Sequence, residues 1–193
     1  VSRACLESNS LNNFSISTDG LASALQRSAS ALKTAGNDID ESIGLITAGN
    51  QIAQDPESVG AAMRTIALRL TGTSVAVQQL NDIGEETEGV ITTVSKLRDT
   101  IMSATKVASN GFKGIDILDE NGNYKSTAEI LQEIADIYTE IEETDKKTSS
   151  NNINLLLETI AGKNRANIAS SILQSPDVLR EAIESSKTAD GSA

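Results

Sequence analysis

Apolar positions in this chain recur at helical spacing, in short runs set apart by glycine, asparagine and capping residues. The best-delimited run lies within Ala48 to Leu70. Asp55 is placed to cap a helix, Pro56 suits its first position, and Glu57 favours the positive end of the helix dipole. Val59, Met63, Ile66, Ala67 and Leu70 then fall on one face, with Arg64 and Arg69 off it and Gly72 as the stop. Its neighbours read as elements built to cover this stripe.

Upstream, residues 1–16 carry Ser and Asn without periodicity and read as a loose leader. Ser17 or Thr18 caps a first helix bearing Leu21, Leu25, Leu32 and Ala35, with Ser28 where the stripe expects bulk. Its alanines and serines permit close helix approach, and high helix propensity accounts for the alanines equally well. Gly36-Asn37 ends it. Asp38 or Asp40 opens the next, with Ile39, Ile43 and Ile46 on its face, fading near Gly49-Asn50.

Downstream of Thr71 the pattern weakens. Val75, Val77, Leu80 and Ile83 fit either a short helix or an irregular arm, and Glu85, Glu86 and Glu88 read as a solvated acidic rim. A helix resumes around Glu88, with Val90, Val94, Leu97 and Ile101 at coiled-coil-like spacing and Ile91 and Met102 widening the face. Asn121-Gly122, between Ile115, Ile117 and Tyr124, predicts a small β-hairpin around a type I′ turn.

Ser126 and Glu129 form a capping box ahead of one amphipathic helix carrying Ile130, Ile134, Ile137, Tyr138 and Ile141. Beyond a polar break at Thr144 to Ser150, Ile153, Leu156, Leu157 and Ile160 make another stripe ending near Gly162. Ile168, Ile172 and Leu173 follow, and Pro176 restarts the chain ahead of Leu179, Ala182 and Ile183. The expected fold is mainly α, a bundle-like module of seven or eight short helices with one hairpin near residues 115–124. The expected divisions are a leader (1–16), an N-terminal helical part (17–110), a hairpin linker (111–125), a C-terminal helical part (126–188) and a polar tail (189–193). The chain reads as an internal piece of a longer protein.

Composition narrows the function. Of 193 residues only Phe14, Phe112, Tyr124 and Tyr138 are aromatic, and apolar bulk comes from Ile, Leu, Val and Ala, which suits helices packed in thin layers. A net charge of −11 argues against nucleic-acid binding, which rests on Lys and Arg meeting phosphates, and against a basic membrane-surface helix. No apolar run reaches the ~20 residues of a membrane span. Cys5 is the single cysteine and His is absent, which excludes an internal disulfide, Ser-His and Cys-His nucleophilic pairs, and zinc ligation of the usual kind.

Other constellations fail on spacing. Asp119-Glu-Asn121-Gly-Asn123 opens like a calcium loop, but its sixth and twelfth positions are Tyr124 and Ile130, where an EF-hand needs Gly and Glu. Gly162-Lys163 lacks the earlier glycine of a phosphate loop, since Leu157 stands there; Lys163 and Arg165 suit a helix C-terminus instead. No carboxylate pair in an apolar pocket can be assigned for muramidase-type chemistry. The sequence therefore nominates no catalytic, cofactor or metal residue, and the chain is expected not to be an enzyme.

Several segments in order carry a resemblance: LQRSASALKTAGNDIDESIGLITAGNQIAQDPESVGAAMRTIALRL, EGVITTVSKLRDTI, YKSTAEILQEIADI and LLLETIAGKNRANIASSIL. Together, from about Phe14 to Ala193, they resemble the core region of phage tail tape measure proteins. The chain departs from that pattern at Tyr138 and the aliphatics around it, where the family often carries Trp or another aromatic, and over Thr71 to Gly84, which matches loosely.

The resemblance implies a structural virion component of the tail lumen, made in the bacterial host cytoplasm. Such a protein sets tail length while tube subunits polymerise around it, and is expelled ahead of the genome. The implied partners are a few copies of itself, the tail tube protein, tail assembly chaperones, and baseplate or distal tail proteins. A fully helical ruler of this length would span roughly 290 Å at ~1.5 Å per residue. The repeated stop signals, with heptads never sustained, instead predict a folded helical module. Two other classes remain open: an all-α module whose acidic faces dock a chaperone, tube ring or baseplate hub, and a cell-wall hydrolase.

Overall fold

The computed structural model describes residues 16–190. Among them are ten α-helices, which we number in chain order: α1 (Thr18–Thr34), α2 (Ile39–Ala53), α3 (Pro56–Arg69), α4 (Ser74–Asp82), α5 (Val94–Thr105), α6 (Thr127–Asp136), α7 (Tyr138–Thr148), α8 (Asn152–Ala161), α9 (Ala166–Leu173) and α10 (Pro176–Asp190). A 3-10 turn, Lys106–Ala108, extends α5. The expected leader up to residue 15, with Cys5 and Phe14, lies outside the described residues, as does the tail from residue 191. Ile16 is buried.

Helix starts follow the capping chemistry. Ser17, Asp38, Asp55 and Ser126 each accept a backbone N–H of the first turn through a side-chain oxygen. Asp38–Glu41 and Ser126–Glu129 both close full capping boxes. Pro56 occupies the first turn of α3.

Helices α2 and α3 form the centre. Helix α3 is packed by α1, α2, α4, α8 and α9, and α2 by α1, α3, α6, α9 and α10. The expected stripe of α3 is buried throughout. The opposite faces are covered too, because Gly60, Ala61 and Ala62 let neighbouring helices come close. A Cβ built on Gly44 of α2 would lie 2.6 Å from the Cα of Ile183 in α10, so small residues set that approach as well. The main apolar cluster draws on residues from both sides of the 111–125 segment.

Four expectations need correction. The helix expected from Glu88 begins at Val94, because the Glu86 and Glu88 carbonyls point at a side chain, Arg69, and not along a helix axis. The single helix expected from the Ser126 capping box is two, α6 and α7, parted at Ile137, whose N–H bonds back only three residues to Ile134. With α4 also helical, the count of seven or eight is too low. Of the two readings open for the segment after Thr71, the short helix forms as α4, with Leu80 and Ala76 buried and Val75 facing solvent.

The fourth correction is the hairpin at 115–124, which does not form. A single antiparallel bridge joins Leu118 and Tyr124, with no strand among the described residues. Asp119 Oδ1 accepts both Asn121 N–H and Asn123 N–H at 2.8 Å, opening a wider loop than a two-residue turn. Asp119 N–H bonds the Asn123 carbonyl at 2.8 Å and Lys125 N–H the Ile117 carbonyl at 3.0 Å across the turn, but other flanking amides are used elsewhere. Ile115 N–H donates to Thr105 Oγ1 at 2.8 Å, and Leu118 N–H to Asp116 Oδ1 at 3.0 Å.

Candidate functional site

Two places combine unusual chemistry with a defined geometry. The first begins at Arg69, the last residue of α3, which stands between Leu68 and Leu70 and is 1 % exposed. Its guanidinium donates to three backbone carbonyls: Glu88 at 2.9 Å, Glu86 at 3.0 Å and Glu158 at 3.2 Å. Burial pushes its pKa down, and the nearby carboxylates of Glu86 and Glu85 oppose that shift. The side chain expected off the buried face is therefore a centre of the fold, tying the 84–93 loop to the end of α8.

The same junction gathers the charges read as solvated. Glu85, its side chain only 8 % exposed, is gripped on both oxygens by the Arg165 guanidinium. Glu86 Oε2 accepts the Asn164 N–H at 3.1 Å, and Lys163 reaches Glu88 at 3.4 Å. A Cβ on Gly162 would lie 2.7 Å from an Arg69 guanidinium nitrogen, so this glycine gives the arginine its space. The acidic rim is docked on the 162–165 turn. Chemically, the junction neutralises its own charges and holds four segments together.

The second place is an apolar cavity of about 410 Å³ between the end of α1, the start of α4, the 119–125 turn and the start of α6. Leu70, Val75, Tyr124 and Ile130 supply its apolar walls. Tyr124 is held by its hydroxyl, which donates to the Thr71 carbonyl at 3.1 Å. Lys125, on the rim, is bound to Glu133 at 2.8 Å. Thr127 lines the cavity 1 % exposed, with no partner for its Oγ1. Val75 and Tyr124 are 58 % and 46 % exposed, which is high for large apolar side chains. A cavity of this size and lining has room for an apolar side chain.

A third feature joins two helix ends. Asn37, buried, donates from Nδ2 to the Leu32 carbonyl at 2.8 Å and accepts the Ala128 N–H on Oδ1 at 2.9 Å. The Leu32 carbonyl also accepts the Asn37 backbone N–H at 3.0 Å, so the side-chain amide adds a second bond at the end of α1 and satisfies an orphan N–H of α6. The sequence marks Asn37 only as a stop and Arg69 only as a surface residue. The sole hint at Arg69 is its place between two leucines.

Other weighed residues fall apart in space or into turns. The Asp119 carboxylate is taken up by Asn121 and Asn123 within its own loop, which pulls its pKa down. Gly162 and Lys163 belong to the Arg69 junction. Among the described residues, no helix is long and apolar enough to cross a membrane.

No curated protein and no solved structure matches the chain. A family model does: that of the phage-related minor tail proteins, over residues 8–156. The match spans most of the 193 residues, and the chain belongs to the phage-related minor tail protein family.

Proposed function

We propose that this chain is part of a tape measure protein, acting in the tail lumen to set tail length and scaffold tube assembly. It contributes structure and carries out no catalysis. The observation that carries the reading is a string of short helices, several of them closed by side-chain caps, gathered around one main core in a chain of a phage minor tail family. The ordered resemblance to tape measure cores supplies the finer assignment. The punctuated helices make this segment a folded module beside the ruler and not the extended rod. Its partners are copies of itself, the tube protein, tail chaperones and baseplate or distal tail proteins, first in the host cytoplasm and then in the virion.

Deleting the segment from the phage gene tests this. The expected result is tails of altered length or failed assembly by electron microscopy. Tails of normal length and number would overturn it.

A second reading, an all-α docking module, is favoured by the cavity walled by Val75 and Tyr124. Val75→Ser is expected to change stability by less than about 0.5 kcal/mol and to weaken retention of tube or chaperone subunits in a pull-down. Unchanged retention of every tail protein would remove the cavity from the account.

A further inference from the structure

Residues 73–93 leave the helical body and rejoin it at one place. A Cβ on Gly72 would lie 3.2 Å from both the Cα and the N of Val94, so the two ends of the excursion touch. Inside it, Ala76 and Leu80 pack on Leu68 as a small apolar cluster separate from the main core. Beyond α4 the chain turns at Gly84 and Gly89, both left-handed (φ +71°), with open space around them.

Next to the neck, Ile91 packs against the main core; between it and α4 the attachment is polar. Arg165 holds the Glu85 carboxylate, Asn164 N–H holds that of Glu86, and Lys163 that of Glu88. Arg69 holds the Glu86 and Glu88 carbonyls. Opening such a contact differs from opening an apolar one. Ionic groups regain hydration on release, which offsets much of the lost attraction, whereas apolar area exposed to water has no such return. Arg69 in particular recovers the solvation that burial removed.

We infer that residues 73–93 form a latched lobe, opening as a unit about the Gly72–Val94 neck while the main core stays closed. The clasp is the set of contacts between the 85–88 carboxylates and carbonyls and the cations of residues 69, 163 and 165. One small apolar cluster holds the other end. Opening bares Leu68 and takes from Arg69 two of its three carbonyls, leaving that of Glu158.

Hydrogen exchange read by mass spectrometry on the complete 193-residue chain tests the lobe. The readout is the protection of hydrogen-bonded amides in α4 against those in α3. The lobe predicts weaker protection in α4, falling further in 1 M NaCl as the clasp is screened, with α3 unmoved. Arg165→Gln is expected to speed exchange in α4 roughly tenfold, as loss of one charge-assisted contact does. Arg165 binds Glu85, whose own N–H bonds the Leu80 carbonyl at the end of α4, so fraying alone would speed exchange only in the last turn, whereas opening of the lobe speeds it throughout α4. The swap Glu85→Arg with Arg165→Glu is expected to restore much of the protection. If α4 ignores both salt and Arg165→Gln, or if α3 loses protection in step with it, the lobe does not open as a separate unit and the inference fails.

Discussion

Gly60 of α3 lies directly on Ala24 of α1: a Cβ at residue 60 would stand 2.7 Å from the Ala24 carbonyl oxygen and 2.8 Å from its Cα. The obstacle is backbone, which cannot swing aside as a side chain can. Ala24 and Ser28 are buried on the facing side, and Ser28 turns its hydroxyl back to the Ala24 carbonyl at 2.8 Å. This contact is what the small residues of α1 are for, and propensity alone does not account for it. Gly60→Ala is expected to destabilise the protein by about 1–3 kcal/mol despite the better helix former, because overpacking outweighs propensity. Thermal unfolding checks the sign.

Arg69→Met keeps the volume roughly and removes the fork that satisfies three carbonyls. A loss of about 2 kcal/mol is expected, with Arg69→Lys falling between the two because one ammonium cannot reach all three acceptors. Urea unfolding of the three proteins measures the order. A Met variant as stable as the parent would show that water replaces the guanidinium without cost.

Asn37→Ala leaves the Ala128 N–H without its partner, while the Leu32 carbonyl keeps the residue-37 backbone N–H. The expected loss is about 1–3 kcal/mol, larger than for removal of an exposed cap such as Asp55. Comparing Asn37→Ala with Asp55→Ala in chemical denaturation checks the ranking.

Acid stability has an identifiable contributor. Arg98 donates to the Asp116 carboxylate from Nε at 2.8 Å and from a second nitrogen, and this pairing holds the Asp116 pKa down at about 2, helped by the Leu118 N–H. The folded value lies below the unfolded one of about 3.9. Its contribution is therefore complete above pH 4 and is lost as pH falls from about 4 towards 2. Asp116→Asn is expected to lower stability at pH 7 and to flatten its decline over that window. Melting temperatures between pH 2 and 7 give the test.

Local chemistry made much of this fold legible. The caps at Ser17, Asp38, Asp55 and Ser126 stand where side-chain oxygens and the following pattern place them. The stripe Val59–Met63–Ile66–Leu70 is buried as its spacing predicts. Long-range polar bonds were not legible. Arg69 meets Glu158 across 89 residues and Asn37 meets Ala128 across 91, and no periodicity encodes either. The expected two-residue turn failed because the Asp119 carboxylate takes the Asn121 and Asn123 N–H groups and organises a wider loop.

Compactness is the claim on which the rest stands, and small-angle scattering of the isolated 193-residue chain measures it directly. A closed module of this length predicts a radius of gyration of about 16 Å for one copy. A stiff particle approaching the roughly 290 Å of a continuous helix would contradict it.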